Sequence, residues 1–391
     1  MAVPASRTCC GGSCRGCVRR ASPRSTSSRC SWPIPPRRSR SRRSRRRRAL
    51  DVRAAVLTPS GLSVRDDWPE PEPGPGEALI SLSKVGICGS DVHFVLDGTA
   101  KTAYTPIVLG HEPAGRVEAL GPDTDGPAVG TRVAIMPLVT CMACDRCRNG
   151  WSCMCKERLC IGADVEGCWA DLTVVPVRNL VPLPDTLSDE LAAVATDSVA
   201  TAYHAVANRG GVTSGSRVAV WGAGGLGLSA VGLSRWLGAS SVIAVDPRPE
   251  AQAWALETGA DEALHPDVAL KRIAELGGVD VALEFVGRED SVEGAVRSLD
   301  DRGRAVIVGL SDARAIAGRL MTFVLREREM VGSYGNEPSD VREMVEAMAS
   351  GSLVLPRVVG DVIPLADVVE GVSRVQRGDT GGSRIVVDIT G

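Results

Sequence analysis

Four cysteines, Cys141, Cys144, Cys147 and Cys155, follow the spacing C-x2-C-x2-C-x7-C. Thiolates crowded into one short loop suit a closed tetrahedral Zn²⁺ site, structural in kind because no coordination position remains for water. The loop also carries Asp145, Arg146, Arg148 and Asn149 and has no apolar pattern of its own, so redox or merely buried cysteines fit it less well. A second cluster, Cys88 to His93 in VGICGSDVH, packs a soft metal ligand, a hydroxyl, a carboxylate and an imidazole into one stretch. It reads as the lip of a catalytic metal site; alone, it also reads as a turn after a strand beside a buried thiol. LGHEPAG adds His111 and Glu112 after the strand-like PIVLG. Of the four histidines, His204 and His265 have ordinary surface or core settings, and Cys153, Cys160 and Cys168 are assigned no metal role.

A third pattern is VAVWGAGGLG, in which Gly222, Gly224 and Gly227, with Gly225 and Leu226 between them, directly follow an apolar strand and open a helix. Gly222 allows a tight turn, Gly224 lets backbone approach a pyrophosphate, and Gly227 lets the helix pack on the strand, while the helix N-terminus offers unpaired N–H groups to the anion. Asp246 ends the next strand, where a carboxylate accepts hydrogen bonds from the adenosine ribose and repels a 2′-phosphate, so NAD is favoured over NADP. Arg248 works against that preference, since a nearby Arg accommodates the phosphate.

These residues need particular elements to hold them. From Val52, VRAAVL, LSVRDD and EALISLSKVGI read as strands broken by the rigid loop PEPEPGPGE, and short apolar runs continue to Leu138 and again from Trp169 to Val177. A helix is expected over Leu191 to Val206. Fully apolar strands (RVAVWGAG, SVIAVD, VDVALEFVG, RAVIVGL) then alternate with helices over Leu226–Leu237, Ala251–Glu257 and Ser291–Leu299, the pattern of a parallel sheet covered on both faces. After Asn336 a helix over Asp340–Ser350 and β-like ends such as SRIVVDIT fit a return to the first domain.

The formal net charge of −2 conceals two unlike parts: residues 1–50 hold fifteen arginines and no acidic residue, leaving 30 basic against 47 acidic side chains beyond them. An acidic body disfavours nucleic acid as a partner. The first segment has no hydrophobic period and is expected to be disordered. It reads as a transit-like segment lacking amphipathicity, as a nucleic-acid arm, or as translation upstream of a start near Val52. Five of the thirteen cysteines lie there, and all others except Cys88 crowd between Cys141 and Cys168, which suggests metal ligation in a reducing cytoplasm. No apolar run approaches the eighteen or so residues needed to span a bilayer.

CGSDVH, GHEPAG, the four-cysteine lobe and GAGGLG, in that order, resemble the zinc-containing medium-chain dehydrogenases, the group of alcohol and polyol dehydrogenases, over Val52 to Gly391. The resemblance implies an α/β chain: an extension (1–51), a GroES-like β-rich catalytic domain with the structural zinc lobe (52–198), a Rossmann NAD-binding domain (199–335) and a C-terminal return (336–391). It implies two zincs per chain, the catalytic one held by Cys88 and His111 with Glu112 beside it. The third ligand is expected at the start of the helix joining the domains, where ATDSVATAYHA offers Asp197; an exposed helix cap is the alternative for that carboxylate. Zinc would lower the pKa of an alcohol whose carbon releases a hydride to NAD. Ser90 would take the alcohol proton and pass it through the cofactor ribose to His93, with Asp91 orienting His93 or nearby backbone. The pocket would be lined from Phe94 to Tyr104 and near Tyr334 and Gly335. The expectation is a cytoplasmic, NAD-dependent zinc alcohol dehydrogenase acting on a small alcohol as a homodimer or tetramer. A polyol dehydrogenase of the sorbitol or threonine type is equally allowed. A non-enzymatic NAD- or zinc-binding regulator with a nucleic-acid-binding tail would show a degenerate catalytic set, and here every expected position is filled.

Overall fold

The computed structural model describes residues 51–315 and 317–391, so the expectations for residues 1–50 lie outside the described residues. The first strand, Asp51–Thr58, starts one residue inside the extension as drawn from the sequence.

Six parallel strands form one sheet in the order Glu262–Leu264, Ser241–Val245, Arg217–Trp221, Val279–Glu284, Leu299–Ile307, Glu329–Gly332. Along the central strand, Val218 and Val220 join a core with Leu228, Leu233 and Met344, whereas Ala219 and Trp221 join another with Ile243, Ile273 and Val296. Burial on both faces is why the strand carries no alternating polar residue. Chain order reverses between Arg217–Trp221 and Val279–Glu284, and the crevice beyond the carboxyl ends of such strands is where open α/β sheets hold ligands.

The β-rich part is a mainly antiparallel sheet ordered Leu180–Pro182, Arg132–Ile135, Glu112–Leu120, Glu77–Ile87, Arg384–Asp388, Val359–Pro364. Its core holds Ile80, Ile87, Ile107, Leu109, Ile135 and Trp169. The C-terminal strand Arg384–Asp388 pairs directly with Glu77–Ile87, with Ile385 opposite Ile87.

A continuous helical run joins the two parts: Asp189–Val194, Ala195–Val199, Ala200–Tyr203 and His204–Arg209, the second and last being wide π turns. Ser188 caps its start by accepting the Leu191 N–H. Helices also stand where none is expected from the sequence, among them Gly89–Val95, Pro266–Glu275, Leu320–Leu325 and Val368–Arg377. The last is rich in Val and contains Gly, both poor helix formers, and it forms by burying Val368 and Val372 in the β-rich core. No helix among the described residues is long and apolar enough to cross a membrane.

Candidate active site

The four-cysteine lobe is built from its own loop. Cys144 precedes a single helical turn, Asp145–Arg148, that carries Cys147, and Cys155 follows the 3-10 turn Ser152–Met154. The sulfurs lie 3.5 Å (Cys144 to Cys147), 3.9 Å (Cys144 to Cys155), 3.8 Å (Cys141 to Cys147) and 3.5 Å (Cys155 to Cys141) apart. A tetrahedron of thiolates with Zn–S near 2.3 Å has edges of about 3.8 Å, so the donor set fits that metal. The backbone of Cys147 holds the Cys144 thiol down to about 6, while burial and the neighbouring sulfurs push Cys147 up to about 12. One thiolate therefore forms readily while Cys147 and Cys155 resist, a conflict that a dication removes.

The second donor set is assembled by the ends of three adjacent strands and the joining helix. Cys88 follows Glu77–Ile87, Glu112 opens Glu112–Leu120 opposite Gly86, and Arg384 opens the C-terminal strand. Gly110, at φ +89°, precedes His111; a Cβ there would stand 2.5 Å from the Trp169 ring, so only glycine lets that ring pack against the turn before the histidine. Donor atoms of Cys88, His111, Glu112 and Asp197 all lie within 4.8 Å of one another. Asp197 Oδ2 is 3.4 Å from Cys88 Sγ and 3.9 Å from His111 Nε2, separations suited to one ion bound by sulfur, nitrogen and oxygen at roughly 2.0–2.3 Å.

Asp197 lies within the joining helix, in the wide turn Ala195–Val199, and not at its start. The π turn widens the backbone there, and the carboxylate is largely buried, so an exposed helix cap does not describe it. Burial opposes its ionisation, yet Arg384 and His111 hold the carboxyl below the usual range. Asp91 holds nearby backbone, one of its two expected partners, and not His93. Fully buried, it accepts the Cys88 N–H at 2.8 Å and places its other oxygen 3.5 Å from His111 Nδ1. It thus orients His111 and the Cys88 backbone, while Asp97 and Thr99 hold His93 Nδ1 at 2.8 and 2.9 Å. The short helix Gly89–Val95 explains this division, since it turns Asp91 inward and leaves His93 partly exposed. Ser90 Oγ is 3.4 Å from His111 Nε2.

Arg384 went unforeseen. Wholly buried, it donates to Glu112 through Nε at 2.9 Å and through Nη2 to Cys88 Sγ at 3.2 Å and Asp197 Oδ2 at 3.3 Å, and Nη2 is ion-paired with Glu112 at 2.8 Å. Burial works against its charge, but Cys88, Glu112 and Asp197 raise its pKa. Burial pushes Glu112 up to about 7, with Arg384 opposing. The other guanidinium nitrogen lies so close to Gly225 that a Cβ there would clash with it. Arg384 therefore stands between the donor set and the N-terminus of helix Gly225–Trp236.

That helix starts at the carboxyl end of strand Arg217–Trp221. Gly222 has φ +91°, and a Cβ on Gly227 would stand 1.8 Å from the Gly222 carbonyl oxygen; at Gly224, where the helix has no side-chain cap, a Cβ would meet the Arg248 guanidinium at 4.0 Å. Asp246 accepts the Ala223 N–H at 3.0 Å and the Arg248 N–H at 3.0 Å, and Arg248 Nε and Nη2 close on it at 3.0 and 3.1 Å. The two side chains expected to pull cofactor choice in opposite directions are thus paired with each other, next to Leu226 and the glycine turn.

The family model described as "Alcohol dehydrogenase GroES-like domain" matches residues 74–185, and the one described as "Zinc-binding dehydrogenase" matches residues 225–350. An L-threonine 3-dehydrogenase of Photorhabdus laumondii is 30% identical over 323 residues, covering 81% of this chain and 93% of that relative. Among solved structures, a zinc-binding dehydrogenase from Sinorhizobium meliloti 1021 bound to NADP superposes with a TM-score of 0.80 at 29% identity, over 87% of this chain and 99% of that one. The alcohol dehydrogenase of Thermus sp. ATN1 superposes with a TM-score of 0.79 at 28% identity, over 86% and 99%.

Proposed function

Since the chain belongs to the zinc-containing medium-chain dehydrogenases, and so is a zinc-dependent oxidoreductase that moves a hydride between an alcohol and a nicotinamide dinucleotide, we propose that it is an NAD-dependent dehydrogenase of small alcohols. The observation that carries this is the convergence of Cys88, His111 and Asp197 in one largely buried set, with Arg384 bridging to the glycine turn. When bound, zinc supplies a Lewis acid that lowers the pKa of the alcohol hydroxyl, and NAD accepts the hydride. The four cysteines hold the second zinc. Asp91 fixes the ring of His111, Arg384 neutralises Glu112, and Ser90 is the hydroxyl beside His111 that receives the alcohol proton. His93 stands at the exposed end, its Nδ1 held by Asp97 and Thr99 so that Nε2 exchanges with solvent. Asp246, fixed by the Ala223 N–H, selects for NAD. Residues 52–198 and 336–391 form the catalytic part and 199–335 the cofactor part. None of the eight described cysteines is in a disulfide, which supports a reducing, cytoplasmic setting, and the working unit is a homodimer or tetramer.

One observation favours the threonine-type alternative. The Arg158 guanidinium sits over the Tyr334 ring, 4.9 Å from its centroid, and has no carboxylate partner among the described residues. Tyr334 precedes by two residues Asn336, whose amide reaches the Thr196 carbonyl beside Asp197. A guanidinium held by a ring and by no described carboxylate suits an alcohol bearing a carboxylate.

Metal analysis combined with a panel of neutral and carboxylated alcohols, each with NAD and NADP, tests both readings. Two zincs per chain and alcohol-dependent NADH formation are expected. One zinc per chain would mean that the lobe is filled while the catalytic set is wrongly assigned, and a preference for NADP would overturn the role of Asp246. If the substrate is acidic, Arg158→Ala lowers kcat/KM about tenfold for the carboxylated alcohol only, the worth of one hydrogen bond to a charged group.

A further inference from the structure

We propose that the adjacent residues Asn336 and Glu337 are positioning residues that tie the orientation of the Asp197 carboxylate to the integrity of the four-cysteine lobe. The two face opposite ways. Asn336, buried, donates both amide hydrogens inward, to the Thr196 carbonyl and to Thr201 Oγ1, each at 3.0 Å. Thr201 donates its own hydrogen to Asp197 Oδ1 at 2.6 Å, so the carboxylate oxygen directed away from Cys88 and His111 is held by a hydroxyl that Asn336 fixes in turn.

Glu337, also buried, reaches into the lobe. Its Oε2 accepts the Ser152 N–H at 2.7 Å and its Oε1 the Cys153 N–H at 3.1 Å. These two N–H groups open the 3-10 turn that delivers Cys155, whose own N–H bonds back to the Ser152 carbonyl at 2.8 Å. Among the described residues no Lys, Arg or His forms an ion pair with Glu337, so its carboxylate is stabilised by backbone N–H groups, the two of the lobe at hydrogen-bond distance among them. Gly335 packs on the same surface, where a Cβ would meet Leu138 at 3.2 Å. On its other side, the Glu337 N–H donates to Asp340, which pairs with the buried His204 on the joining helix.

A buried carboxylate deprived of its donors is strongly disfavoured and must move toward water. If the Ser152–Cys155 turn opens, Glu337 moves, and consecutive Cα atoms only 3.8 Å apart leave Asn336 no slack. Asn336 then releases Thr201, and Asp197 loses the hydroxyl that sets its angle. Partners of this kind behind a metal ligand are worth roughly 10–100-fold in metal affinity.

This link rests on the assignment of Asp197 as a metal ligand. The test uses full-length protein with zinc in the lobe and Co²⁺ in the Cys88–His111–Asp197 set, read by the visible absorption of the cobalt and by its release to a chelator. Glu337→Ala is expected to retain one zinc in the lobe yet shift the cobalt band and speed cobalt release about tenfold. Asn336→Leu should reproduce both effects, Glu337→Gln, which keeps one acceptor oxygen but turns its NH2 against the second N–H, should show a smaller shift in the same direction, and kcat should fall while KM for NAD holds. Identical cobalt spectra and release rates in wild type, Glu337→Ala and Asn336→Leu would overturn the link. Failure of the wild type to bind cobalt outside the lobe would instead remove the ligand assignment, and the link with it.

Discussion

The two metal-binding clusters reach similar donor spacings by opposite routes. The lobe takes all its ligands from one loop, Cys141 to Cys155, and leaves Cys141 and Cys144 half-exposed. The set around Cys88 takes ligands separated by up to 109 residues, buries them, and encloses an arginine that approaches three of them. A local site is fixed by chain geometry and needs little from its surroundings. A dispersed site is fixed by strand register, and its charges must be neutralised by residues no motif contains.

That contrast can be broken by substitution. The largest effect is expected from Cys88→Ala, which removes a ligand from the dispersed set. Lewis-acid stabilisation is worth several kcal/mol, so turnover should fall on the order of a thousandfold, while zinc content drops from two to one per chain. Cys147→Ala should give the same stoichiometry by emptying the other site, and atomic absorption alone would not separate the two; retained dehydrogenase activity in Cys88→Ala would refute the contrast. Next comes Arg384→Met, which leaves Glu112 buried without its cation. Breaking a buried pair from one side costs about 3–5 kcal/mol, visible as a lower denaturation midpoint, and adding Glu112→Gln should recover much of it. Equal stability of the single and double variants would show that Arg384 is not there to neutralise. Smallest is Asp91→Asn, expected to weaken zinc at the dispersed set by about tenfold while the lobe titrates as before. A competition assay with a chelator would detect it, and an equal loss at both sites would deny Asp91 its place behind His111.

What the sequence discloses follows the same division. The lobe and the glycine turn are legible because their chemistry is contained in a few consecutive residues, as are the strands of the parallel sheet, whose Val218, Ala219, Val220 and Trp221 must all be apolar to be buried on both faces. Cys88 and His111 are legible as candidates, since a soft ligand and a rare histidine stand beside glycines. Arg384 is not: it sits 272 residues from Glu112 in a run that reads as an ordinary strand, and only the pairing of Ile385 with Ile87 turns it into the site. Asp91 is visible as a carboxylate, but its partner is set by the short helix Gly89–Val95 and not by nearness to His93. Asn336 and Glu337 carry no local signal, because an amide and a carboxylate after a glycine look like any helix start.

The strand pairing that delivers Arg384 has a consequence for the order of events during synthesis. By the time residue 160 has been made, every ligand of the lobe exists, and closing that loop demands contacts only over short stretches of chain, which form early. The Cys88 and Glu112 strands can pair at about the same stage, but they carry an uncompensated buried carboxylate until strand Arg384–Asp388 arrives beside them. In the interval Glu112 must stay hydrated or protonated, and the sheet has an open edge at Lys84–Ile87 that invites wrong partners. The last strand thus acts as a latch: the nascent protein can hold a metal in its lobe long before it can become an enzyme.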